Sequence, residues 1–163
     1  HILTGSDDGT ARIWDTTTGN NTLTLTTNSV IAAVKWSPDG THILTTSEDG
    51  TALIWDAATG NNTLTLTHTH PVKAVAWSPD STRVLTGSID GTARIWDATT
   101  GNNTLTLTHT DWLPRVAWSP DGTHVLIRSD ESTVRIWDAT SGNNTLTLKH
   151  KHAVEAEIGR AHV

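Results

Sequence analysis

The chain carries 163 residues, a net charge of −6 and no cysteine, which excludes disulfides, thiol catalysis and thiolate metal sites. Its 11 Lys and Arg are scattered rather than gathered into a basic stripe, so no nucleic-acid partner is expected. No run approaches the roughly 18 apolar residues of a membrane span and no charged-then-apolar leader is visible at the start, so no membrane partner is expected either.

In chain order, His1-Ile2-Leu3-Thr4-Gly5-Ser6 has the β-branched content and the following turn signal of a short strand, here strand b. Asp8-Gly9 comes next and suits a tight hairpin, because Gly tolerates the positive φ such turns need. Strand c is Thr10-Ala11-Arg12-Ile13-Trp14-Asp15, followed by a turn at Gly19-Asn20-Asn21. Strand d, Thr22-Leu23-Thr24-Leu25-Thr26, alternates strictly, which predicts leucines on a packed face and threonines towards solvent. Strand a runs from Val30 to Trp36 and ends in Ser37-Pro38-Asp39-Gly40, with Pro and Gly placed as a type I turn prefers them. The whole unit then recurs: Trp14-Asp15, Trp55-Asp56, Trp96-Asp97 and Trp137-Asp138 lie 41 residues apart. A fixed period of this size marks an architecture whose units need neighbours to bury their apolar faces.

Four short antiparallel strands per unit, Trp-Asp closing the third, Trp-Ser-Pro-Asp three times and Ser-x-Asp-Gly-Thr three times in one register resemble the WD-repeat β-propeller family. The resemblance implies an all-β chain, a single propeller domain over 1–163 built of four-stranded antiparallel blades, four per chain. With strand a innermost, blades are expected over 30–67, 71–108 and 112–149, with a composite blade from 1–26 plus 153–163. A four-bladed ring closed by one chain demands steep angles between blades. The expected assembly is therefore a homodimer with an eight-bladed ring, each junction blade taking its inner strand from the partner. A closed monomer, a fragment or another oligomer are the alternatives.

The family pattern also links a His before strand a, a Ser on strand b, an Asp in the b–c turn and the Trp of strand c. The matching sets are His68, Ser88, Asp90 and Trp96 in one blade, and His150, Ser6, Asp8 and Trp14 in the composite blade. Two sets are damaged: Thr27 stands where His should accompany Ser47, Asp49 and Trp55, and Glu131 replaces Asp beside His109, Ser129 and Trp137. Ser, His and Asp together suggest nucleophilic catalysis. A structural network is the stronger reading, because indole N–H only donates, carboxylate only accepts, and the other two relay between them. No enzyme activity is expected. The pairs His68-x-His70 and His150-x-His152 lack a third ligand, so neither a metal nor any other cofactor is expected.

The copies differ chiefly in two places. One is the loop and first residues of strand a, including Lys73 and the extra Trp112; the other is the b–c turn region, with Glu48, Ile89, Arg128 and Asp130. Both lie at the same end of a blade. In WD-repeat proteins that face commonly binds peptides or partner proteins, so the expected function is a non-enzymatic scaffold using Trp112, Arg128, Lys73, Ile89, Glu48 and Asp130. The alternative, favoured by the near-identity of the copies, is a recently amplified or engineered propeller fragment whose only activity is self-assembly into a complete ring.

Overall fold

The computed structural model describes residues 1–108, 115–128 and 133–152, and every regular element among them is a strand. The first sheet holds β1 (Ile2–Gly5), β2 (Thr10–Trp14) and β3 (Asn21–Thr26). The second holds β4 (Ile31–Trp36), β5 (His42–Ser47), β6 (Thr51–Asp56) and β7 (Asn62–Thr67). The third holds β8 (Val72–Trp77), β9 (Arg83–Ser88), β10 (Thr92–Asp97) and β11 (Asn103–Thr108). The fourth holds β12 (Arg115–Trp118), β13 (His124–Arg128), β14 (Thr133–Asp138) and β15 (Asn144–Lys149). Strands within each sheet run antiparallel in sequence order, so every connection is a local hairpin. The segment 153–163, expected as the inner strand of the first sheet, lies outside the described residues.

The Asp of each Trp-Asp pair holds the turn between strands c and d. Asp56 Oδ1 accepts from the backbone N–H of Ala58 (3.1 Å) and Thr59 (2.7 Å) and from Thr59 Oγ1 (2.8 Å). Gly60 closes the turn at φ 74°, its N–H donating to Asp56 O at 2.9 Å. The register then shifts between Ile54 and Trp55, where Trp55 faces Asn62, and the same irregularity recurs in the other three sheets. A bulge of this kind re-aims the strand end, and beside it in the second sheet Asn62 Nδ2 donates to Ile54 O at 3.2 Å and to Leu64 O at 3.1 Å.

The sheets stack front to back. Leu44, Ala52, Ile54 and Leu66 on the front of the second sheet meet Val72, Val75, Trp77, Val84 and Trp96 of the third. Ala11, Ile13 and Leu25 of the first meet Ile31, Ile43 and Trp55 of the second. Leu85, Ala93, Ile95 and Leu107 of the third meet Val125, Ile127 and Ala139 of the fourth. Strict alternation in strand d works as expected: Leu25, Leu66 and Leu107 are buried while the flanking threonines are exposed. The strands β4, β8 and β12 pack side by side at the inner edge, and β1 lies beside β4. There Gly5 packs closely, since a Cβ would fall 2.7 Å from Val34 Cγ1 and 2.8 Å from Ile31 Cγ2 and would displace them.

The turn aspartates set the response to acid. In the a–b turns the Ser78 hydroxyl, then the Thr82 backbone and hydroxyl, bring Asp80 down to about 2, and Ser119 with Thr123 does the same for Asp121. Burial alone would raise the Asp90 carboxyl, but hydrogen bonds from Thr92 and His68 together bring it to about 2. A carboxyl whose folded pKa lies below its unfolded value contributes stability above the unfolded pKa and loses it as pH falls through the folded one. The urea midpoint is therefore expected to fall steeply between the ordinary 3.8 and about 2. A midpoint that holds or rises across that window contradicts these turn networks.

Candidate functional site

Among the described residues, one end of the first and second sheets gathers the b–c turn and the loop that leads to the next sheet. His68 N–H donates to Gly50 O at 2.8 Å, Glu48 N–H to Val30 O at 3.2 Å and Ile89 N–H to Pro71 O at 3.2 Å, tying each loop to a turn. Gly50 has φ +87° and lies under this loop, so that a Cβ would sit 2.8 Å from His68 O. Only glycine satisfies both the turn and the close approach.

Beneath the loops lies a buried polar chain. Trp96 Nε1–H donates to Thr86 Oγ1 at 2.8 Å, Thr86 Oγ1 lies 2.7 Å from His68 Nε2, and His68 Nδ1 lies 3.0 Å from Asp90 Oδ2. Indole only donates and carboxylate only accepts, so the chain runs one way: Thr86 O–H donates to Nε2, and Nδ1–H donates to Asp90. Burial lowers the His68 pKa and the neighbouring Asp90 carboxylate raises it less, leaving the imidazole below its ordinary 6.5 and neutral at neutral pH. Linkage then adds an earlier loss of stability as pH drops below 6.5.

The relay corrects one sequence expectation. Thr86, not Ser88, joins Trp96 to His68; Ser88 Oγ instead donates to His70 O at 2.9 Å and accepts from Asp90 N–H at 3.1 Å. Thr4 and Thr45 play the same part, accepting from Trp14 and Trp55 at 2.9 Å each. The signal was present as threonine at 4, 45 and 86, repeated in register with Trp. In the fourth sheet Ile127 takes that position, and Trp137 Nε1 is buried without a hydrogen-bond partner. In the first sheet Ser6 Oγ accepts from Asp8 N–H at 3.2 Å, but His150 is exposed and makes no hydrogen bond with Ser6, Asp8, Thr4 or Trp14. The expected His150 set is thus not assembled within one chain. His109, Ser129 and Glu131 lie outside the described residues.

Thr27, standing where His68 does one repeat later, turns into its own loop, donating to Ser29 O at 2.6 Å. Thr45 therefore has no imidazole to meet. Thr27→His is expected to stabilise the chain by about 1 kcal/mol, the worth of a typical net hydrogen bond. A higher urea midpoint checks it; a lower one contradicts the equivalence of the two junctions.

Chemically, a hydroxyl on an imidazole on a carboxylate has the outline of an activated nucleophile. Yet Thr86 is fully buried, and its oxygen already accepts the indole N–H, so substrate has no approach to it. At the surface of the same end, Lys73 Nζ pairs with Glu48 Oε1, joining the inner strand of the third sheet to the b–c turn of the second. Ile89 is half-buried on the next b–c turn, and Arg128 ends β13 opposite Arg115 of β12. The structure thus brings Glu48 and Lys73 into contact; Trp112 and Asp130 lie outside the described residues.

The comparison with known families agrees with this architecture. The family model described as WD domain, G-beta repeat matches residues 1–15, 19–56, 60–97 and 101–138. No curated protein matches the chain. The four matches end at Asp15, Asp56, Asp97 and Asp138, the same residues that hold the c–d turns, and the chain belongs to the WD-repeat family.

Proposed function

We propose that the chain is a non-enzymatic scaffold that binds a peptide or protein on the end formed by the b–c turns and the loops between sheets. WD repeats serve protein–protein interaction in general, which supports the class of function. The observation that carries the particular surface is the Lys73–Glu48 pair: residues at which the copies differ meet across neighbouring sheets instead of scattering over the molecule. Trp112 supplies the anchor, because a large amphipathic ring that no repeat rule demands is the commonest type of binding hot spot. Arg128, Lys73, Ile89, Glu48 and Asp130 are the further residues proposed to contact the partner.

Selection of binders from a random peptide library tests this reading. Peptides retained by the chain are expected to lose at least about 10-fold in affinity on Trp112→Ala, a loss typical of hot-spot truncation, and to weaken on Lys73→Glu. Peptides that bind equally well to both variants would move the binding surface elsewhere.

A second reading is self-assembly into a complete ring, with two copies supplying eight blades. The exposed leucines Leu146 and Leu148 on the fourth sheet favour it.

A further inference from the structure

The apolar halves of the three internal junctions are built alike, so the two ends can be compared with them position by position. Leu148 stands where Leu25, Leu66 and Leu107 do; those are 1%, 0% and 2% exposed, whereas Leu148 is 41% and its neighbour Leu146 47%. Ile2 stands where Ile43, Val84 and Val125 do; each of those is 0% exposed, whereas Ile2 is 55%. One end is therefore an uncovered front face and the other an uncovered back face.

The polar half of a junction is divided in the same way. Trp14 Nε1–H already donates to Thr4 Oγ1, as Trp96 does to Thr86, and Asp8 occupies the position of Asp90. The Asp8 side chain is 56% exposed against 5% for Asp90. At the junction of the second and third sheets the imidazole comes from the preceding sheet, since His68 directly follows β7. The same position after β15 is His150, which is exposed.

We propose that the two ends are halves of one junction, formed between two copies of this chain. The β15 face of one copy packs on the β1–β2 face of the other, and His150 enters between Asp8 and Thr4 of the second copy to complete the polar chain. This rests on the self-assembly reading and adds which surfaces meet. Charge supports the pairing. Lys151 stands where Thr69 does, and Thr69 N–H and Oγ1 both reach Asp90 Oδ2 at 3.4 Å. Lys151 therefore faces Asp7 and Asp8 of the second copy, with Lys149 beside it. Packing two β15 faces together would instead juxtapose lysines and leave both Trp14–Thr4 pairs without an imidazole. Made twice about a two-fold axis, the front-to-back junction closes a ring.

Sedimentation equilibrium of the 163-residue chain and of Leu148→Glu and Ile2→Glu tests the proposal, with circular dichroism to confirm folding. Both parent side chains are exposed in the single chain, so neither change disturbs a filled core; Leu148→Ser and Ile2→Ser follow the same logic if a Glu variant fails to fold. The parent is expected at the mass of two chains. Each Glu variant alone should associate at least about 100-fold more weakly, because a charge replaces a buried aliphatic group. An equimolar mixture should recover a two-chain species through the one junction whose faces are both intact. His150→Ala should weaken association roughly 10-fold, the loss of a buried hydrogen-bonded partner. If Leu148→Glu abolishes a parent dimer that Ile2→Glu leaves intact, the contact is face to face and this junction is overturned while self-assembly stands. A parent of single-chain mass at every concentration overturns both.

Discussion

Replacing Thr86 by Val is expected to destabilise the chain by about 3 kcal/mol, because it strands two buried polar groups at once. Val keeps the shape and the β propensity of Thr, so packing and strand formation are nearly unchanged. What disappears is the oxygen that accepts from Trp96 Nε1 and the proton that satisfies His68 Nε2. Both partners are too buried to find water instead. Ser88→Ala should cost only about 1 kcal/mol, since its hydroxyl serves backbone groups at the margin of the turn. Urea titrations followed by far-ultraviolet circular dichroism compare the two. A larger loss at Ser88 than at Thr86 would show that the relay runs through the serine.

The second large effect comes from one repeat position in two environments. Leu66→Ala should cost about 3 kcal/mol, the loss of a fully buried leucine with the cavity left behind. Leu66 is completely buried on the front of the second sheet, where the third sheet covers it. Leu148→Ala, at the same register position in the same Thr-Leu-Thr-Leu context, should cost under about 1 kcal/mol at concentrations where the chain is alone. Equal costs in dilute solution would mean that the front of the fourth sheet is covered within one molecule.

That comparison also shows where reading the sequence stops. Strands, turns and the stacking of units were legible because they depend on local chemistry repeated four times: alternation in Thr22–Thr26, Asp-Gly at the b–c hairpin, Pro and Gly around Asp39. Trp-Asp was legible as a signature, and the structure supplies its cause in the carboxylate that holds three donors of the c–d turn. Thr86 was missed for a geometric reason. Residues 86 and 88 share one face of β9, both carry hydroxyls, and alternation cannot choose between them; the reach of the Trp96 ring across the β9–β10 register does. The exposure of Leu148 was illegible locally, because residues 142–148 repeat residues 60–66 without change and the leucine's covering comes from the next sheet. Thr27 and Ile127 mark the opposite case, where a change in the copied unit leaves a visible gap in the polar chain.

The loop end and the two sheet faces make separate demands on the same chain. Loop differences are tolerated because their backbone groups are held by the turns beneath them, as His68 N–H is by Gly50 O. The sheet faces must remain alike, since each front is read by the next back. The apolar positions that face a neighbouring sheet are largely repeated, whereas Thr27 and Ile127 show that the polar chain at a junction tolerates change.

Residue-level amide hydrogen exchange in dilute solution, with the single-chain mass verified, tests most directly whether each sheet is stabilised by the sheet in front of it. Strong protection is expected in β7 and β11, whose leucines Leu66 and Leu107 are covered, and markedly faster exchange in β15, whose leucines are not. Equal protection of β15 and β7 in a particle of one chain would contradict it.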